Sequence, residues 1–201
     1  KVLPFAHYIE FHPYSGWDVR RRLVKRFILY CKQFTLPMEI IFLAANYVDR
    51  FLSKKTPKHH LRVLGAVAFL LAVEHEGEIH HPPSVFDLDS FYSIYYEQSD
   101  IPCIREQLLK MLEDHLRVPS PFYFLRRIAT VDGPRPDIHT FARYLAASTV
   151  LDERFIGMKP SQVAAASYFL SQILHKSSGS YYNRADIVWV GEKYLAGQSH
   201  C

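Results

Sequence analysis

The chain has 201 residues, room for one large domain or two of about 100 residues each. With 49% hydrophobic and 22% charged residues it has the balance of an ordinary soluble globular protein, and 14% aromatics supply a sizeable core; only 8 glycines argue against a sheet-and-turn architecture and against glycine-rich phosphate loops. The net charge of +4 is too small to imply nucleic acid by itself, and three distant cysteines (Cys31, Cys103, Cys201) make no disulfide framework and favour a reducing, intracellular compartment.

The longest apolar run, Val63 to Val73, is shorter than the roughly 20 residues that a membrane span needs. No charged-then-apolar signal segment opens the chain, and the absence of an initiator Met reads as an excised fragment.

Helical patterns follow in order. Asp18 precedes a run carrying Leu23, Phe27, Tyr30 and Phe34 on one face. Thr35 is placed to cap the next helix, with Pro37 in its first turn. There Ile40, Ile41, Ala44, Tyr47, Val48 and Phe51 make one apolar stripe. Thr56-Pro57 opens a helix that is apolar nearly all round, which belongs at the centre of a bundle.

Pro82-Pro83 starts a short helix through about Phe91. Asp100 and Pro102 open another, with Ile104, Leu108, Met111 and Leu112 inward. Pro119-Ser120-Pro121 stops it and launches the next, with Phe124, Leu125 and Ile128. After a turn-rich Val131–Pro136, helices are expected over about Asp137–Asp152 and Pro160–Lys176. Ser177-Ser178-Gly179-Ser180 is a loop before a last amphipathic segment near Ile187–Leu195. No period-2 strand stands out, so the fold class is all-α.

The run Leu43 to Phe51 recurs as Leu145 to Phe155, with Asp49 and Asp152 103 positions apart and Pro57 and Pro160 keeping that spacing. Both copies enter an Ala-rich helix. The ordered set predicts two tandem all-α domains of one fold, joined near Pro119.

Leu43-Ala44-Ala45-Asn46-Tyr47-Val48-Asp49-Arg50-Phe51-Leu52-Ser53 closely resembles the cyclin-box signature Leu-x-x-x-x-x-Asp-Arg-Phe-Leu. The spacing to the helix Leu64–Ala72 and the break at Pro82-Pro83 are also similar to a cyclin. The resemblance covers nearly the whole chain and is nearest to A- and B-type mitotic cyclins. It implies two tandem boxes of five helices, the second stopping around its fourth. The boxes fall at 18–118 and 119–201, after an N-terminal segment 1–17. Asp49, Arg50, Phe51 and Leu52 are the fold signature.

The resemblance also implies a regulatory subunit rather than an enzyme, one that binds and activates a cyclin-dependent kinase. In that family the cyclin holds the kinase αC helix inward, so that its Glu pairs with the ATP-site Lys. The cyclin does so by binding the active conformer more tightly. An intracellular location, in nucleus or cytoplasm, goes with this role. No cofactor, metal or membrane partner is expected.

Two departures from the family pattern stand out. Glu74, followed by His75, occupies the position where the family carries a kinase-contacting Lys, and Arg105 the position of a Glu, with Glu106 beside it. The pair is charge-swapped; a partner kinase with compensating charges, loss of a standard kinase, and a mutual Glu74–Arg105 ion pair are all open readings.

The second departure lies in the first helix. Many cyclins carry there an apolar patch that captures Arg-x-Leu peptides of substrates. Here Val19, Arg22, Leu23 and Arg26, with Arg62 from the central helix, occupy those positions. The patch has become basic, which predicts no Arg-x-Leu docking and suits acidic or phosphorylated partners; a solvated helix face is the plain alternative. As a nucleic-acid or import signal the Arg cluster is weak, because a folded helix hides part of it.

His59, His60, His75, His80 and His81 do not match metal-site spacing: in His75-Glu76-Gly77-Glu78-Ile79-His80 the second His comes one residue late for a zinc-protease motif. Two rival functions remain: a kinase-independent cyclin-fold adaptor for acidic or phosphorylated proteins, and a nucleic-acid-binding, transcription-factor-type cyclin fold.

Overall fold

The structure, a computed structural model, describes residues 3–8, 17–54, 61–76, 82–84, 87, 100–113 and 115–177. Among them are seven α-helices and no strand: α1 Trp17–Gln33, α2 Glu39–Lys54, α3 Leu61–Glu76, α4 Asp100–Leu112, α5 Pro121–Asp132, α6 Pro136–Ser148 and α7 Pro160–Ser177. Two 3-10 turns, Thr149–Leu151 and Glu153–Phe155, stand between α6 and α7. The expected segments over 82–91 and 187–195, and the Thr56-Pro57 cap, lie wholly or largely outside the described residues.

The chain divides into two compact units: Lys1–Ser120 with Val150–Met158, and Pro121–Thr149 with Lys159–Cys201. The first is built around α2 and α3. Every residue of the expected α2 stripe is buried, and so are Leu43, Ala45 and Leu52 on its flanks. Along α3, Val63 to Val73 is buried except for half-exposed Leu70. A helix apolar on all sides has no solvent face, so neighbours must surround it.

α1 approaches α3 closely because Gly65 has no side chain; a Cβ there would lie 2.8 Å from a methyl of Leu23. One turn further on, the Phe69 ring stands 5.7 Å from that of Phe27 and 5.2 Å from that of Tyr30. α4 closes the unit with Ile104, Leu108, Met111 and Leu112 inward, the four positions its periodicity indicates.

Thr35 does not start α2; it ends α1. Its φ of 53° is left-handed, the Leu36 N–H reaches Cys31 O at 2.8 Å and the Thr35 N–H reaches Lys32 O at 3.4 Å. This is the paired hydrogen-bond pattern that satisfies the last carbonyls of a helix, a position glycine usually fills. α2 opens later, at Glu39.

The second unit holds α5, α6 and α7. α5 runs to Asp132 and stops at Gly133, whose φ is 84°. Ile138, Ala142 and Ala146 of α6 are buried, as are Val163, Ala164, Ser167 and Ser171 of α7. Ser171 Oγ donates to Ile138 O at 2.6 Å and ties the two helices.

The helix expected over Asp137–Asp152 ends at Ser148. Thr149–Leu151 tightens to 3-10 geometry, and Asp152 is extended, with φ −107° and ψ 122°. The chain then joins the first unit, where Val150 and Ile156 enter the core. That excursion bears on the internal repeat: the helix starts Glu39 and Pro136 stand 97 positions apart, against 103 for the motif match, while the Thr56-Pro57 start expected to pair with Pro160 lies outside the described residues. Asp49 lies in mid-helix, whereas Asp152 caps a 3-10 turn and accepts the Arg154 N–H at 3.0 Å.

Candidate functional site

The signature on α2 is structural. Asp49 accepts Arg20 Nε and Nη2, both at 2.8 Å, and the Tyr8 hydroxyl at 2.6 Å. Both partners of the ion pair are buried, with 6% and 5% of the side chains exposed. The remaining Arg20 nitrogen donates to Val150 O at 2.9 Å, so the guanidinium is bound on three sides. Burial works against the Arg20 charge, and Asp49 more than offsets it, so the residue stays cationic. Burial and the adjacent carboxylate push the Tyr8 hydroxyl up, so it remains a donor.

Arg50 faces the other way. It donates to His115 O at 2.8 Å and to Leu112 O at 2.9 Å, capping the end of α4; burial lowers its pKa. Tyr47 OH adds a bond to Leu116 O at 2.6 Å. Phe51 and Leu52 are core. The signature therefore ties α1, α2, α4 and the 150–158 segment together.

The surface made by the end of α3 and by α4 has a different character. Arg105 donates to both carboxylate oxygens of Glu74, at 2.9 and 2.7 Å. The fork-to-fork geometry is the strong form of this pair, and hydrogen bonding to Glu74 raises the Arg105 pKa. Both side chains keep 40% or more of their surface exposed. Glu106 instead pairs with Lys110 on its own helix, so Arg105 is the α4 residue that faces Glu74. His75 is half-buried beside Glu74.

The α1 positions separate. Arg22 and Arg62 are exposed, and Val19 and Arg26 are half-buried. Leu23, expected in the docking surface, is 3% exposed and packs where Gly65 lets it approach, so it belongs to the core. Arg20, adjacent to the basic cluster in sequence, is buried as the Asp49 partner. The α1 periodicity could have found it, because position 20 shares the face of 23, 24 and 27. Tyr8 lies before any helical pattern and carries no such signal in the sequence.

Among the described residues, no group of three His, Cys, Asp or Glu side chains comes together to hold a metal ion. No helix among them is long and apolar enough to cross a membrane. His59, His60, His80 and His81 lie outside the described residues.

Comparison with known proteins accounts for this architecture. The family model for the cyclin N-terminal domain matches residues 1–117, and that for the cyclin C-terminal domain matches residues 119–186. G2/mitotic-specific cyclin-3 of Saccharomyces cerevisiae is 33% identical over 85% of this chain and 40% of its own length. G2/mitotic-specific cyclin-B of Emericella nidulans is 31% identical over 87% of this chain and 36% of its own length. The chain thus spans about 40% of the length of the curated relatives it matches. A viral cyclin from herpesvirus saimiri has the same fold, with a TM-score of 0.71 at 17% identity, covering 97% of this chain and 84% of that one. Two cyclin domains, at residues 1–117 and 119–186, make this chain a member of the cyclin family, with similarity to G2/mitotic cyclins.

Proposed function

We propose that the chain is a regulatory subunit of a cyclin-dependent kinase, acting in mitotic cell-cycle control. The observation that carries the reading is the similarity to G2/mitotic cyclins across both family domains. The docking face assigned here is the end of α3 with α4, where Glu74, His75, Arg105 and Glu106 are presented. The helices that carry them are held firmly by the core below, so the face is preformed.

The chain would act by binding one kinase conformer better than another, and it shifts the population by that difference alone. The Glu74–Arg105 pair presents its charges in the reverse order to that of the family pattern. Because each charge already has a partner within the chain, docking does not have to bury an unpaired ion. The partner kinase then meets a donor where most meet an acceptor.

A pull-down from lysate of the source organism, followed by histone kinase assay, tests the reading. Recovery of a cyclin-dependent kinase whose activity depends on the chain supports it; a folded chain that recovers no kinase overturns it. The exposed Arg22 and Arg62, at positions where many cyclins are apolar, favour a second reading, a kinase-independent adaptor for acidic or phosphorylated proteins.

A further inference from the structure

We draw no further inference here: the strongest candidate, the apolar stripe of Phe169, Leu170 and Ile173 exposed on α7, carries no proposal, because nothing among the described residues shows what covers it.

Discussion

Arg20 grips both oxygens of Asp49 at 2.8 Å across the α1–α2 contact, and both side chains are cut off from water. Removing one partner of a buried pair leaves the other charge without compensation, which costs about 3–5 kcal/mol. Asp49→Asn and Arg20→Met are each expected to lower the urea midpoint accordingly. The double substitution Arg20→Met with Asp49→Asn should cost less than the sum of the two. A purely additive result would show that the pair is not coupled.

Thr35 occupies a left-handed position at the end of α1, where a β-branched side chain is strained. Thr35→Gly relieves that strain and loses some chain entropy, for a net gain of about 0.5–1 kcal/mol. An upward shift of the urea midpoint with an unchanged slope is the expected result.

Burial pushes the Cys31 thiol up to about 12, so thiolate is scarce at pH 8. Cys103 is exposed on α4. Iodoacetamide at pH 8 should label the Cys103 peptide before the Cys31 peptide, with Cys31 reacting only as the chain unfolds. Equal rates in the native protein at pH 8 would count against a closed α1–α2 core.

Glu74 and Arg105 lend themselves to a charge-swap test. Glu74→Lys alone sets two cations together and should weaken docking of any kinase partner. Adding Arg105→Glu restores the ion pair in the opposite sense. The double variant should bind a generic cyclin-dependent kinase more tightly than the unmodified chain does, read by titration calorimetry. Affinity unchanged within error would mean that these positions do not read the partner's charge.

Much of the first unit was visible in the residues themselves. The α2 stripe, the all-apolar α3 and the four inward positions of α4 depend on periodicity, which burial enforces directly. The errors came where a local signal had two uses. Thr favours helix starts, yet Thr35 closes a helix because Pro37 delays the next one. The Leu145–Asp152 run has helical character, but its last residues are drawn into another unit's core, and packing overrides propensity there.

Leu23 belongs to the same class of error: its residue type suits both a core and an apolar patch, and only the gap left by Gly65 decides. The Glu74–Arg105 pairing stayed open for another reason. The two residues are 31 positions apart on different helices, and periodicity fixes the face of each helix without fixing its neighbour.

The Arg20–Val150 hydrogen bond joins residues 130 positions apart. During synthesis, α1, α2 and α3 leave the ribosome long before residues 150–158 exist. Until those residues arrive, Arg20 has one nitrogen without its final acceptor and the core lacks Val150 and Ile156. The first unit therefore cannot reach its finished state by local closure alone. Its last contacts carry the loop entropy of a long-range join and set in late. A nascent chain stalled near residue 120 is expected to hold an open, protease-sensitive first unit. One stalled past residue 158, allowing for the stretch inside the exit tunnel, is expected to hold a closed one.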